Sequence, residues 1–338
     1  MRVSLGQARR PWIGGAVLLL AMAGVSLVGS AQTHRLKLVS TVWPPFTNAP
    51  GQARFALDLV EAGLGRIAVS ATTEFVDAAR YTTSLMTGPF EGSGAAWRDA
   101  EREKVLVYSQ PYLENRLVLV GRRGAVVSSA TLAELRGKRI AIVEGYSYGE
   151  IENAGPVYVR SKSEEDSLRL LLDSKVDYTL MDELVVQYIV NNYATEARTK
   201  LQFGSTPLVR RQLFLAVRRS VPDADSIVTR FNAQLRNMIV DRTYHKLLHV
   251  DWINADVDGD GKLEYVPKSD QAGKAPPQQA YTLIADEKVK LSTGPQRFYI
   301  GKGIYNSWSD VPDSYKVSAP GIASADKSTL SWFKFTWK

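Results

Sequence analysis

The sequence of 338 residues contains no cysteine and only three histidines. The absence of cysteine excludes disulfides, thiolate metal sites, cysteine nucleophiles and a lipid-bearing N-terminal cysteine. A strong charge of one sign is also lacking, because the net charge is +7 and part of it comes from Arg2, Arg9 and Arg10. The remaining positive charge is weak and spread along the chain, which argues against a nucleic-acid partner.

Long apolar runs are confined to the N terminus, where residues 12–28 are uncharged and apolar. Arg9 and Arg10 precede this run and Gly29-Ser30-Ala31 follows it, as in a cleaved secretory signal. An uncleaved membrane anchor is the alternative, but a spanning helix needs roughly 20 apolar residues and this run is shorter. We therefore predict a signal peptide over residues 1–31, a periplasmic location, and no membrane contact after cleavage.

What the sequence does contain is an alternation of two periodicities. Hydrophobic residues make up 45% of the chain and charged residues 23%, which is typical of a soluble globular protein. Strand patterns cover residues 36–39, 116–120, 139–143, 178–181 and 212–217, and helical patterns cover residues 56–64, 131–136, 164–172, 183–193 and 223–248. The alternation predicts an α/β fold with parallel sheets.

The composition changes near residue 251. Residues 251–277 contain an acidic, glycine-containing loop that resembles a calcium loop, and they end in a proline-rich stretch, which predicts a linker. Residues 278–338 carry short aromatic and β-branched runs at 281–284, 298–300, 315–317 and 330–337, separated by turn residues. These runs predict a small β-rich C-terminal module, and nothing in its sequence indicates its role.

Several segments between residues 35 and 253 follow one another in a characteristic order. The most specific is residues 102–112, an arginine followed by a spacer and then Tyr108-Ser109-Gln110-Pro111-Tyr112. The others are Trp43-Pro44-Pro45-Phe46 and residues 55–67, 85–91, 132–145, 177–182 and 241–252. Together these segments resemble the family 3 (polar amino-acid type) extracellular solute-binding proteins of ABC transport.

The resemblance implies a two-lobed periplasmic-binding-protein fold of type II. Lobe 1 would comprise residues 32–121 and 212–250, and lobe 2 residues 122–211, so that the chain crosses twice between the lobes and forms a hinge. The implied function is the capture of a small polar solute, amino-acid-like in its chemistry, without catalysis. The implied partner is an ABC permease, or a sensor that receives the loaded protein, and solute binding would need no cofactor.

Arg102 and Asp182 are the expected charged groups of the solute site. A free amino acid needs a cation for its carboxylate, and a guanidinium makes bidentate, charge-assisted hydrogen bonds to that group. The alternative for Arg102 is a surface salt bridge within residues 101–104. Asp182 follows a buried strand and is expected at the crevice edge of the sheet, where it would receive the solute ammonium. The other role for Asp182 is to cap the helix that follows.

Aromatic and small polar residues complete the expected site. Trp43 is expected either to stack on the solute or to pack on Phe46 as a lid. Ser147 and Tyr148, with the amides of residues 145–149, follow a strand and precede an expected helix, which is a suitable place for an anionic group. Trp97 stands where the family has small hydroxyl residues, so an indole is expected to fill part of the pocket, and the size of the solute stays open.

Two catalytic alternatives use residues of the same region. Gly145-x-Ser147-x-Gly149 matches the nucleophile elbow of α/β-hydrolases, which would need an acid and a histidine further along the chain. The candidates are Asp177 or Asp182, and His245 or His249. Dehydratases of the cyclohexadienyl type share the binding-protein fold and would need a general acid. The candidate acids are Glu91, Glu101 and Glu144.

Asp241, His245 and His249 are spaced so that they would share one face of a helix. A metal site would need further ligands that the sequence does not supply nearby. Solvated or capping residues near a helix end explain this spacing better.

The sharpest local motif is the acidic loop that begins at Asp256. Its oxygens at loop positions 1, 3 and 5 and its glycine at position 6 follow the EF-hand pattern, and helical residues are expected before it. Pro267 at position 12 replaces the bidentate glutamate. We predict a weak calcium site here, with a solvated acidic turn as the alternative. The predicted ligands are Asp256, Asp258, Asp260, Lys262 and Glu264.

Overall fold

The computed structural model describes Met1 and residues 34–149, 151, 153–276, 280–283 and 296–317. The predicted signal peptide, apart from Met1, lies outside the described residues, as do the run at 330–337 and the end of the predicted linker. From Thr33 onward the chain forms one compact unit, distinct from Met1–Gln32. No helix in the described part of the chain is long and apolar enough to cross a bilayer.

Strands and helices alternate through most of the described residues. The strands are β1 (His34–Ser40), β2 (Val69–Phe75), β3 (Gly92–Trp97), β4 (Leu106–Tyr108), β5 (Leu113–Arg122), β6 (Arg139–Val143), β7 (Val157–Ser161), β8 (Tyr178–Asp182), β9 (Leu201–Arg218), β10 (Trp252–Ala255), β11 (Glu264–Pro267), β12 (Tyr281–Thr282), β13 (Arg297–Ile300) and β14 (Gly303–Tyr305). The helices are α1 (Phe55–Gly65), α2 (Ala78–Thr87), α3 (Ala100–Glu103), α4 (Glu164–Leu172), α5 (Glu183–Asn192), α6 (Ala194–Lys200), α7 (Ala224–Val240) and α8 (Thr243–Leu248), and short 3-10 turns cover Leu132–Leu135 and Asp313–Tyr315.

β1 to β9 form one large mixed sheet in the order β2-β1-β3-β9-β5-β8-β6-β7, with β4 also paired to β9. β1 runs parallel to β2 and β3, and β6 runs parallel to β7 and β8, as expected for strands joined by crossover connections. The long strands β5 and β9 pair antiparallel between these two groups. The prediction of parallel sheets is therefore correct within each group and wrong for the sheet as a whole, because β5 and β9, on which the chain passes between the groups, pair antiparallel with their neighbours.

The two parallel groups divide the large sheet into halves. We call β1–β4 with α1–α3, α7 and α8 the first half, and β6–β8 with α4–α6 the second half. Each half has its own buried strand at the centre, with Leu36 and Leu38 of β1 and Ile140 and Ile142 of β6 all nearly inaccessible to solvent. β5 and β9 connect the two halves. A movement of one half relative to the other therefore has to bend these two strands.

Side chains cap the N-termini of two helices through hydrogen bonds to backbone amides. Ser163 caps α4 by accepting a hydrogen bond from the Asp166 amide at 3.1 Å, and Asp182 caps α5. The single long helix predicted over residues 223–248 is wrong, since the structure has α7 and α8 with a break between them. Arg242 adopts a left-handed φ of 69° at the break. The Asp241 carboxylate accepts hydrogen bonds from the backbone amide and the hydroxyl of Thr243, which stabilises the new helix start.

A second, five-stranded sheet has the order β12-β10-β11-β13-β14. β10 and β11 form an antiparallel hairpin around the acidic loop, and β13 pairs parallel to β11. Residues 251–277, predicted as a linker, thus contribute two strands to the sheet that contains the predicted C-terminal module. Val266 and Phe298 are buried in this small sheet. Tyr315, predicted to begin a strand, instead ends a 3-10 turn.

The small sheet packs against the first half and against β5. His245 Nε2 on α8 lies 2.9 Å from the Val266 carbonyl oxygen of β11, and burial lowers the pKa of His245 to about 4. The Tyr281 hydroxyl of β12 donates a hydrogen bond of 3.0 Å to the Glu114 carbonyl oxygen of β5. The described C-terminal residues are therefore built into the compact unit.

Candidate functional site

The first and second halves meet in a crevice beyond the carboxyl ends of β1 and β6, where ligands of open α/β sheets commonly bind. The crevice contains a partly open cavity of about 20 Å³, which is room for about one water molecule. The residues around it come from separate segments of the chain: Ser40, Thr41, Trp43, Tyr81, Ala95, Trp97, Arg102, Tyr146 and Ser147. Trp43, Trp97, Arg102 and Ser147, four of the predicted site residues, therefore line one cavity, and their role in binding a solute stays a prediction.

Aromatic rings fill most of the crevice. The Trp97 ring centroid lies 5.7 Å from Trp43, 5.5 Å from Tyr146 and 5.3 Å from Tyr148, and all three contacts are edge-on. Trp43 also packs on Phe46 with ring centroids 4.4 Å apart, which is the arrangement of the lid alternative. Tyr146 is not singled out by the sequence, although it stands directly before Ser147 in the motif that is.

Arg102 lies at the base of the crevice and is only 3% exposed. Its Nη2 donates to Thr82 Oγ1 at 2.8 Å and to the Gly145 carbonyl oxygen at 3.2 Å, and its Nη1 donates to the Trp97 carbonyl oxygen at 3.2 Å. Its Nε lies 3.1 Å from the Asp99 carboxylate. The surface salt bridge expected as the alternative forms between Lys104 and Glu101 without Arg102.

Direct contacts close the two halves onto each other at Gly145. Thr82 Oγ1 donates to the Gly145 carbonyl oxygen at 3.3 Å, and Thr41 Oγ1 lies 3.0 Å from the Tyr146 hydroxyl. Gly145 has a φ of +79°, and a Cβ at this position would lie 2.3 Å from the Ala78 carbonyl oxygen of the first half. A glycine is thus required for the close approach, and the Arg102 guanidinium bonds across the crevice to the second half.

Asp182 lies beside the crevice but does not line its cavity. Its carboxylate accepts hydrogen bonds from the Leu184 amide at 2.8 Å, the Arg116 amide at 2.9 Å and Asn115 Nδ2 at 3.1 Å. Burial raises the pKa of Asp182 to about 7, although these hydrogen bonds favour the charged form. This is the helix-capping role, and an additional role in receiving a solute ammonium stays a prediction.

Asn115 is buried and Glu164 is partly buried, and the sequence singles out neither of these polar residues. Asn115 Oδ1 accepts a hydrogen bond of 2.6 Å from Trp97 Nε1, so Asn115 joins Trp97 to Asp182. Burial raises the pKa of Glu164 to about 8, the Asp182 charge adds to the rise, and the nearby Trp43 indole opposes it. Glu164 Oε2 and Trp43 Nε1 nevertheless lack a hydrogen bond of good geometry. The only available signal for Asn115 is its polarity within a largely apolar strand.

The nucleophile-elbow geometry is not formed around Ser147. No helix follows β6 in the described residues 144–149, 151 and 153–155, so the expected helix N-terminus is wrong. His245 contacts the small sheet, and His249 ends α8 with a left-handed backbone. No hydrogen bond joins Ser147 to a histidine among the described residues. Ser147 and Tyr148 reach the crevice on a turn instead.

The acids considered for dehydratase chemistry lie outside the cavity. Glu91 accepts a hydrogen bond of 2.7 Å from the Lys37 amide, Glu101 pairs with Lys104 on the surface, and Glu144 is exposed. The Asp241 side chain pairs with Arg66 at 2.8 Å and precedes α8, so Asp241, His245 and His249 do not share a continuous helix.

The acidic loop holds an arginine from a neighbouring strand. Carboxylate oxygens of the three aspartates 256, 258 and 260 lie within 4.8 Å of one another. Arg297 of β13 approaches Asp260 at 2.8 Å, Asp258 at 3.3 Å and the buried Glu264 at 3.2 Å. Lys262 donates its backbone amide to Asp260. Strands flank this loop, so the helix expected before it is wrong, and calcium binding stays a prediction.

Known structures share the fold of the described unit. An ancestral arginine-binding protein bound to arginine has a TM-score of 0.53 and 21% identity over 64% of this chain and 96% of its own. An arginine third transport system periplasmic binding protein from Legionella pneumophila has a TM-score of 0.53 and 22% identity over 64% and 98%. The GluR0 ligand-binding core from Nostoc punctiforme, in complex with L-glutamate, has a TM-score of 0.52 and 19% identity over 63% and 98%.

No protein-family model matches the sequence, and no curated protein matches it either. The structural neighbours confirm the resemblance at the level of the fold. The chain has the mixed α/β fold of periplasmic binding proteins, with a second small sheet in addition.

Proposed function

We propose that the protein is an exported, two-lobed solute-binding protein that captures a small polar, amino-acid-like solute by its carboxylate. The lobes are residues 32–121 with 212–250, and residues 122–211. The observation that carries the proposal is the buried Arg102 guanidinium at the base of an aromatic crevice between the halves of the large sheet. A guanidinium in such a place offers paired, charge-assisted hydrogen bonds to a carboxylate.

The contacts of Arg102 indicate how a solute would be held. In the closed arrangement its Nη2 donates to the Gly145 carbonyl oxygen of the second half. When the lobes open by bending β5 and β9, this donor is released, and a solute carboxylate would take the place of the Gly145 oxygen. Trp43 would then contact the solute from the first lobe, and Ser147 and Tyr148 from the second.

Delivery of the solute to an ABC permease is the proposed role of the loaded protein, with a sensor as the other receiver. The names of the structural neighbours, which include a transport-system periplasmic binding protein, support a transport role. The predicted signal peptide supports export to the periplasm. The proposal is binding without catalysis, since the candidate general acids lie outside the cavity and Ser147 makes no hydrogen bond to a described histidine.

A ligand screen followed by calorimetry tests the proposal. Melting temperatures with amino acids, small carboxylates, sugars and aromatic acids would identify the solute, because a ligand that binds the folded state raises apparent stability. Arg102→Gln should then weaken binding by roughly a hundredfold to a few thousandfold, as expected when one partner of a buried ion pair is removed. Arg230→Gln, on the exposed face of α7, is the control and should bind normally.

Two outcomes would contradict the proposal. Normal solute affinity of Arg102→Gln would rule out the assigned role of the guanidinium. Turnover by the purified protein, either release of phenylpyruvate from prephenate or hydrolysis of a p-nitrophenyl ester that is lost in Ser147→Ala, would show an enzyme.

A further inference from the structure

The Trp97 indole occupies the centre of the crevice. It is 5% exposed and is surrounded by the rings of Trp43, Tyr146 and Tyr148. The rings of Trp43, Trp97 and Tyr146 line, together with Arg102, a cavity of about 20 Å³. That space is sufficient for about one water molecule, and an amino-acid side chain of several non-hydrogen atoms does not fit it.

Asn115 fixes the position of this indole. Its Oδ1 accepts the 2.6 Å hydrogen bond from Trp97 Nε1, and its Nδ2 donates to Asp182 at 3.1 Å. Asn115 is 0% exposed and lies on β5, where its backbone is in register with Arg211 of β9. If the indole left the crevice, the buried Asn115 oxygen would lose its partner, so displacement of Trp97 is unfavourable.

Separation of the lobes would not remove the indole. Trp97 lies on β3 of the first half, and Asn115 lies near the start of β5, whereas Tyr146 and Tyr148 approach from the second half. Opening therefore withdraws the two tyrosines and leaves Trp97 beside Arg102, whose Nη1 donates to the Trp97 carbonyl oxygen. A solute bound to Arg102 has to fit beside a fixed indole.

We infer that Trp97, positioned by Asn115, sets the upper size limit of the solute. The inference rests on the proposed function and narrows it: the wild-type crevice closes only on carboxylates of a few non-hydrogen atoms, about the size of acetate or glycine. Trp97 is the specificity-determining residue, and Asn115 is a positioning residue. Removal of the indole should open space for the side chain of a larger amino acid whose carboxylate binds Arg102.

The experiment is isothermal titration calorimetry of wild type and Trp97→Ala with acetate, glycine, L-alanine and L-glutamine. Trp97→Ala should bind L-glutamine at least tenfold more tightly than wild type, and Arg102→Gln in the same background should abolish the gain. Asn115→Leu, which cannot accept the indole hydrogen bond, should show a smaller gain of the same kind. Trp252→Ala, in the small sheet outside the crevice, is the matched control and should leave the size preference unchanged.

The outcomes separate the inference from the proposed function. Wild-type protein that binds L-glutamine as tightly as Trp97→Ala would overturn the inference while supporting the proposed function. Arg102-dependent binding by Trp97→Ala, with no probe bound by wild type, would support the inference and count against the proposed function. Failure of folded Trp97→Ala to bind any probe would overturn the inference. If circular dichroism shows that Trp97→Ala is unfolded, Trp97→Phe replaces it, and an unchanged size preference in that variant would overturn the inference.

Discussion

Gly145→Ala is the substitution that most directly disturbs the contact between the two halves. The added Cβ would lie 2.3 Å from the Ala78 carbonyl oxygen. A carbon atom normally keeps roughly 3.3 Å from such an oxygen, so the halves have to part by about 1 Å at this point. The hydrogen bonds that Thr82 and Arg102 donate to the Gly145 carbonyl oxygen would be weakened at the same time.

Gly137→Ala is the matched control. Gly137 has a φ of +75°, close to the +79° of Gly145, but no atom lies within 4 Å of its added Cβ. Both substitutions place alanine in the left-handed region, which costs about 1–2 kcal/mol. Only Gly145→Ala also disturbs the hydrogen bonds between the halves, which adds about 1–3 kcal/mol.

Urea unfolding and small-angle X-ray scattering measure the two consequences. Gly145→Ala should have a free energy of unfolding about 1–3 kcal/mol below that of Gly137→Ala, and a larger radius of gyration without solute. Equal stability and identical scattering of the two variants would refute the close contact at Gly145 and, with it, the closed arrangement of the crevice.

Three further substitutions test buried or paired charges. Burial raises the pKa of Glu164 from 4.5 to about 8, so the contribution of its protonated form to stability is present at low pH and is lost as pH rises from about 4.5 through about 8. The melting temperature of wild type should therefore fall over that range more steeply than that of Glu164→Gln. Equal slopes for the two proteins would contradict the raised pKa. Asp182→Ala should lower the free energy of unfolding by about 2–4 kcal/mol, because the α5 cap and two further amide hydrogen bonds are lost. The control Asp173→Ala, at an exposed position, should change this free energy by less than about 0.5 kcal/mol. Similar effects of the two substitutions in urea titrations would show that the Asp182 cap is unimportant. Calcium should bind the acidic loop with a dissociation constant of about 10⁻⁴–10⁻³ M. Arg297→Gln should tighten calcium binding, because the Arg297 guanidinium competes for the carboxylates of Asp258 and Asp260. If millimolar calcium shifts the melting temperature of neither wild type nor Arg297→Gln, the loop is a solvated turn.

Local patterns in the sequence predict much of the fold. The apolar run at residues 139–143 coincides with β6, and the helical pattern at 164–172 coincides with α4. Trp43, Trp97 and Arg102, each singled out within its own segment of the sequence, line one cavity. These features are predictable because each depends on periodicity or on a short motif that one stretch of chain contains.

The remaining features depend on single backbone angles or on contacts between distant segments. A left-handed conformation at Arg242 divides the long helical pattern, and periodicity does not reveal such an angle. Asn115 meets Trp97 and Asp182 only when β3, β5 and β8 are assembled. Glu164 looks like an ordinary acidic residue in a first helical turn, and only the fold brings it near Asp182.

A crystal structure of the protein with the solute identified by the screen is the most direct test of the central claim. We predict density for the solute between the lobes, with a carboxylate oxygen about 2.7–2.9 Å from an Arg102 Nη atom in place of the Gly145 carbonyl oxygen. A solute bound elsewhere, with the hydrogen bond from Arg102 to Gly145 still intact, would contradict it.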